Sequence, residues 1–110
     1  MQPHDWGYLT IWEFRVKTGK EQQFEEAYGA DGVWAQCFRR GEGYLGTELV
    51  RDQKQPGRYL TLDFWISRDA YTHFREQHFA EYEEIDKKCE ALTEAEAQIG
   101  EFDRAGYANK

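Results

Sequence analysis

The sequence predicts a small α+β domain: a four-stranded antiparallel sheet with its helices gathered on one face. Three observations carry this. Segments rich in β-branched and aromatic residues recur at "YLTIWEFRV", "YLGTELVRD" and "RYLTLDFWI", and such composition reads as strand. Blocks with apolar residues three or four apart separate the first strand from the second and follow the third, which is the period of a helix with one buried face. The strands carry apolar residues on both of their faces, so both sides of the sheet need cover.

The first strand, 8–16, sets Tyr8, Thr10, Trp12, Phe14 and Val16 on one face against Leu9, Ile11, Glu13 and Arg15 on the other. Thr18 and Glu21 then stand at capping-box spacing, and Phe24, Ala27 and Tyr28 form the stripe of a first helix. "GADG" breaks it. A short second helix, "VWAQCFRR", presents Trp34, Cys37 and Phe38 together and ends at "GEG". The strands 44–52 and 58–66 flank a turn at Pro56 and Gly57 and predict a hairpin. In the latter, Leu60, Leu62, Phe64 and Ile66 share one face, and Tyr59, Thr61, Asp63 and Trp65 the other. Ser67 is a good N-cap, with Asp69 at the positive end of the helix it opens. That helix is expected to run from about Arg68 to about Leu92, with the stripe Tyr71, Phe74, His78, Tyr82, Ile85, Cys89, Leu92. A short fourth strand, 98–102, precedes a loose tail, 103–110. The order β-α-(α)-β-β-α-β is the ferredoxin-like split βαβ pattern.

With 110 residues the chain is expected to form one domain, 1–110, with its core at about 8–102. Aromatic residues make up 16%. So many rings in a short chain call for a large apolar interface, an aromatic-lined pocket, or both. A net charge of −7 repels phosphate backbones and argues against a nucleic-acid partner. No stretch approaches the roughly 18 apolar residues of a membrane helix. The opening "MQPHDWGYL" lacks the basic and apolar regions of a signal peptide, so the expectation is a cytoplasmic protein with Cys37 and Cys89 reduced and buried. His73 and His78 are five apart and share no helix face, so they predict no metal pair. No phosphate loop or nucleophile elbow is present.

Four pieces, in order, then resemble a known family: "FRVKTGKEQQFE" after the first strand, "GYLGTEL" opening the second, "FWISRDAY" joining the third strand to its helix, and "QHFAEY" within that helix. Across about Tyr8 to Phe102 the chain resembles the antibiotic biosynthesis monooxygenase domains of the dimeric α+β barrel superfamily. The resemblance implies a homodimer whose sheets pack face to face, and a pocket in each subunit between sheet and helices. It implies no metal and no cofactor for those members that oxygenate phenols or quinols with O₂ directly. The positions used by haem-degrading relatives hold Phe14, Phe74 and Glu84 here, which cannot perform those roles.

Within this resemblance His78 is the candidate base, because imidazole titrates near neutrality. Trp65 and Tyr82 are candidates to orient substrate oxygens. Trp12, Trp34, Phe38, Tyr71 and Phe74 are candidate walls for a small aromatic or apolar molecule. Asp63, on the strand face of Trp65, reads as a barrel-lining or surface carboxylate, or as a group polarising a base. Two functions stay open: a cofactor-independent monooxygenase for a small phenol or quinol, and a non-catalytic dimer of the same fold with a ligand-binding, stress or regulatory role.

Overall fold

The computed structural model describes residues 5–106. Its elements are β1 (Tyr8–Val16), α1 (Glu21–Tyr28), α2 (Val33–Phe38), β2 (Tyr44–Arg51), β3 (Arg58–Trp65), α3 (Arg68–Gln77), α4 (Phe79–Cys89), a single 3₁₀ turn (Glu90–Leu92) and β4 (Thr93–Asp103). The strands make one sheet in the order β2-β3-β1-β4, with every neighbouring pair antiparallel. This is the ferredoxin-like α+β architecture expected from the sequence. Of the expected tail, Asp103 closes β4, and 107–110 lie outside the described residues, as do residues 1–4 of the segment read for a leader. No helix among the described residues is long and apolar enough to cross a membrane.

Pairing aligns Tyr8 with Trp65, Thr10 with Asp63, Trp12 with Thr61 and Phe14 with Tyr59. These residues form the face beneath the helices, which settles which side of each strand is internal. At one end, Phe24 of α1 stacks on Tyr28 with ring centroids 4.2 Å apart and tilts against Phe14 and Tyr59. At the other, Trp65 is enclosed by Tyr44, Tyr71, Phe74 and Phe38, all with centroids between 5.2 and 5.9 Å. Each such ring contributes about 2–3 kcal/mol through burial.

Three local readings need correction. The stretch 68–92 is not one helix: His78, at φ −119° and ψ 29°, separates α3 from α4. A straight helix over 68–92 would reach about 37 Å, whereas an eight- or nine-residue strand spans about 26–30 Å. The bend lets Phe74 pack on Trp65 while Tyr82, beyond it, packs on Trp34. The capping box does not form, because α1 starts after Lys20. Glu21 Oε1 instead accepts the Gly19 N–H at 2.9 Å. Finally, β4 starts at Thr93, earlier than expected. Its first half, "TEAEA", has low β-propensity and is held by pairing with β1. By contrast Ser67 caps α3 as read, its Oγ accepting the Ala70 N–H at 3.1 Å.

The opposite face of the sheet carries Leu9, Ile11, Leu60 and Leu62, half-exposed, with Val50 and Phe102 more than 40% exposed at its flanks. Phe64 on the same face is buried, with Trp6 edge-on to its ring at 5.5 Å.

Candidate active site

Between the two aromatic clusters the internal face of the sheet bears small side chains. Thr10, Thr47 and Thr61 sit where neighbouring rows carry Tyr, Phe and Trp. The space they leave is a recess bounded by the sheet, α1, α2 and α4. Its aromatic walls are Trp12 and Phe14 from β1, Tyr28 from α1, Trp34 and Phe38 from α2, and Tyr82 from α4. Thr47, Thr61 and Asp63 line it from β2 and β3, and Asp86 and Glu96 from α4 and β4. The volume open to the centre of a water-sized sphere is about 50 Å³, and all the free space in the recess, its open mouth included, is about 460 Å³. The smaller volume admits about three to five waters at roughly 10–15 Å³ each. Those dimensions match a single ring with a short substituent better than a fused polycycle.

Asp63 is the recess's buried carboxyl group, only 8% exposed. Its position follows from a defect in the hairpin. Tyr44 pairs with Trp65, but Gly46 pairs with Phe64, so Leu45 is an extra residue in β2. Gly46 has φ +143°, a conformation that suits glycine. Beyond this bulge Thr47 pairs with Asp63, and both point inward. The Thr47 hydroxyl donates to Asp63 Oδ1 at 2.6 Å, and the Tyr44 hydroxyl lies 2.6 Å from Thr47 Oγ1. Burial pushes the Asp63 carboxyl up to about 6, with hydrogen bonds from Thr47 and Thr10 acting in the opposite direction. Glu96, at the rim, is also raised, first by burial and then by the charges of Asp86 and Glu90.

Four of the residues proposed from sequence line this recess: Trp12, Trp34, Phe38 and Tyr82. Tyr82 meets Trp34 edge-on at 4.9 Å, and the Arg75 guanidinium lies 4.0 Å from its ring centre. Burial raises the Tyr82 phenol, and the Tyr71 hydroxyl adds to this. His78, Trp65, Tyr71 and Phe74 are not among the lining residues. His78 sits at the α3–α4 break, stacked on Phe74 at 5.1 Å, with Nδ1 3.8 Å from Glu81 Oε1. Trp65 is fully enclosed in the core beside the recess, its indole N–H without a hydrogen-bond partner among the described residues. Phe74 is core, and Tyr71 opens onto a second, shallower groove with Tyr8 and Arg75. The carboxylates Asp86 and Glu96 and the hydroxyl of Thr47 were not singled out from sequence. The signal that marks Asp63 is an acid flanked on one strand face by Thr61 and Trp65. Among the described residues no cluster of His, Cys, Asp and Glu is arranged to hold a metal. Cys37 and Cys89 are buried thiols, both raised by burial.

A comparison with curated proteins finds no match. Among solved structures the chain is similar to SnoaB, a cofactor-independent oxygenase from Streptomyces nogalater, at 18% identity and a TM-score of 0.68, covering 96% of this chain and 99% of that one. It is similar to a Bordetella bronchiseptica protein assigned to the antibiotic biosynthesis monooxygenases, at 24% identity and a TM-score of 0.67, covering 89% and 97%. A Nitrosomonas europaea protein of the same assignment gives 20% identity and a TM-score of 0.65 over 89% and 98%. At these identities the likeness is one of fold. The sequence itself matches the Antibiotic biosynthesis monooxygenase family over residues 8–85, well over half its length. The chain belongs to the antibiotic biosynthesis monooxygenase family.

Proposed function

We propose that the recess is the active site of a cofactor-independent monooxygenase that oxidises a single-ring phenol or quinol with O₂. The observation that carries this reading is Asp63: a buried carboxylate, raised to about 6, set among aromatic walls. A base held about two units above its ordinary value is better matched to a phenolic proton and is still mostly ionised at neutral pH. The substrate ring lies between Trp12, Trp34 and Tyr82, and its hydroxyl gives its proton to Asp63. The phenolate passes one electron to O₂. The resulting radical pair combines to a ring hydroperoxide, which loses water to give the quinone. One oxygen atom of O₂ ends on the ring and the other in water, and the substrate supplies both electrons. Asp63 then returns a proton to the departing oxygen. Thr47, held by Tyr44, fixes the carboxylate's orientation, and the aromatic walls exclude bulk water from the radical stage. The fold shared with SnoaB, a cofactor-independent oxygenase, supports the reaction class.

The test is O₂ uptake with a panel of single-ring quinols and phenols, comparing Asp63→Asn with His78→Gln. Loss of turnover in the first and its retention in the second is expected. The reverse result assigns the base to His78, as the helical stripe suggests, and overturns the assignment to Asp63. Saturable binding without turnover on any substrate favours the non-catalytic ligand-binding reading.

The same reading includes a homodimer in which a second copy covers the outer sheet face. Leu9, Ile11, Leu60 and Leu62, with exposed Val50 and Phe102, form an apolar surface on neighbouring strands, the kind of surface that a second copy can cover.

A further inference from the structure

We propose that the ligand of this recess is cationic: a phenol or quinol carrying a protonated amine, with its hydroxyl at Asp63 and its ammonium at Asp86 and Glu96. This deepens the proposed function and rests on the recess being the binding site. Three carboxylates line the recess, and its lining includes no Lys, Arg or His. The walls between them are Trp12, Trp34 and Tyr82, whose ring faces attract cations. Arg75 lies over the Tyr82 ring and its charge and that of Asp86 attract each other, but it does not line the recess, and the Glu96 carboxylate beside Asp86 keeps the rim acidic.

The acids occupy two separate places. Asp63 pairs across the sheet with Thr10, and Glu96 with Phe14, four residues further along β1. That separation is roughly 13 Å at the rise of a strand. Asp86 stands with Glu96, close enough that its charge acts on the Glu96 carboxyl. Asp63 is deep and sealed, whereas Glu96 is exposed at the rim. The site is therefore polarised along its length. Its deep end, with one carboxylate hydrogen-bonded by Thr47, suits a neutral hydroxyl donor. Its rim, with two neighbouring carboxylates, suits an ammonium that keeps part of its hydration. A carboxylate-bearing phenol of the same size meets three like charges, a penalty that discriminates between otherwise similar ligands.

The experiment measures binding of three probes of matched shape by tryptophan fluorescence or calorimetry at pH 7 and low salt: tyramine, 4-ethylphenol and 3-(4-hydroxyphenyl)propionate. We expect tyramine to bind at least tenfold more tightly than 4-ethylphenol, and the propionate to bind most weakly. In the double variant Asp86→Asn, Glu96→Gln, the ratio of tyramine to 4-ethylphenol affinity is expected to fall below threefold. Both substituted positions are partly or fully exposed, so the fold is retained, which circular dichroism checks. Equal binding of tyramine and 4-ethylphenol overturns the cationic-ligand inference and leaves the proposed site intact. An undiminished preference in the double variant overturns the assignment to Asp86 and Glu96. Failure of all three probes to bind overturns the inference together with the site on which it rests. A tyramine preference without O₂ uptake on any amine-bearing quinol keeps the inference and removes the oxygenase.

Discussion

Replacing Asp63 by Asn is expected to stabilise the protein at neutral pH while abolishing turnover. Folding moves this carboxyl from 3.8 to about 6, chiefly by burial. At about 1.4 kcal/mol per pH unit, keeping Asp63 ionised inside the fold costs about 3 kcal/mol. Asparagine has nearly the same shape, and its Oδ1 accepts the Thr47 hydrogen bond, so most of that cost is removed. The sign follows from proton counting. Between about pH 4 and pH 6 the folded protein holds a proton on Asp63 that the unfolded chain has released, so wild-type stability falls as pH rises through this window. Below it both states are protonated and the variant gains nothing. Above it the full cost is present and the variant gains up to about 3 kcal/mol, an upper figure that corresponds to about 10 °C or more in Tm for a domain of this size. Thermal unfolding of both proteins by circular dichroism at pH 7 and pH 4, at equal concentration because a dimer makes Tm concentration-dependent, measures the difference. A gain equal at both pH values, or a less stable variant at pH 7, refutes the argument that burial of a charge sets this group. A stability gain coupled to lost activity is the signature of strain retained for function.

The remaining expectations are more local. kcat/KM for the oxygenase reaction should rise with pH along an acid limb centred near 6 and level off above it, as an ionised Asp63 requires. Thr47→Val should move that limb to higher pH, because the Thr47 hydrogen bond lowers the Asp63 carboxyl. An unmoved limb would separate Thr47 from the base. Phe24→Ala should cost about 3–5 kcal/mol in urea denaturation, since Phe24 is fully buried against Phe14, Tyr28 and Tyr59. Ser67→Ala should cost about 1 kcal/mol through loss of the α3 cap. Leu62→Lys, on the outer face of β3, should convert a dimer to monomer by light scattering with chromatography, and a dimer that survives it would place the interface elsewhere.

The sheet was legible because β1, β2 and β3 are β-branched, aromatic-rich runs bounded by turn and helix-start residues. The early half of β4 was hidden because Glu94, Ala95, Glu96 and Ala97 have no strand preference of their own, and β1 alone holds them in place. The aromatic walls were readable as helical stripes, which brought Trp34, Phe38 and Tyr82 forward. His78 falls on the same stripe by spacing, yet the helix breaks at His78 itself. Its ring therefore stacks back on Phe74 while Tyr82, four residues on, reaches the recess. A periodicity argument assumes an unbroken helix, and nothing in "FREQHFAEY" marks the break with Gly or Pro. Asp63 was obscured for a different reason. Both faces of β3 mix polar and apolar residues, so local pattern does not decide which face is internal.

What the recess contains is decided by two extra residues in the sheet. In an unbroken β2–β3 ladder continued from Tyr44 and Trp65, Thr47 would pair with Leu62 and point outward, leaving Asp63 opposite Gly46. The bulge at Leu45 brings the Thr47 hydroxyl to the carboxylate instead. A second shift lies in β4, where Ile11 pairs with Gly100 but Trp12 pairs with Gln98. Continued without it, the β1–β4 ladder would set Ala97 opposite Phe14 and turn Glu96 to the outer face. Because a slip of one residue exchanges the two faces of a strand, each bulge turns the whole stretch beyond it, carrying Thr47 in β2 and Glu96 in β4 to the recess side. The aromatic residues on β1, α2 and α4 make the cavity, and the bulges supply its hydrogen bond and its rim charge. Chains sharing the aromatic frame but differing in these two residues would keep the fold and change the chemistry the cavity can hold. That is why a fold likeness at 18% identity leaves the ligand to be read from this chain's own carboxylates.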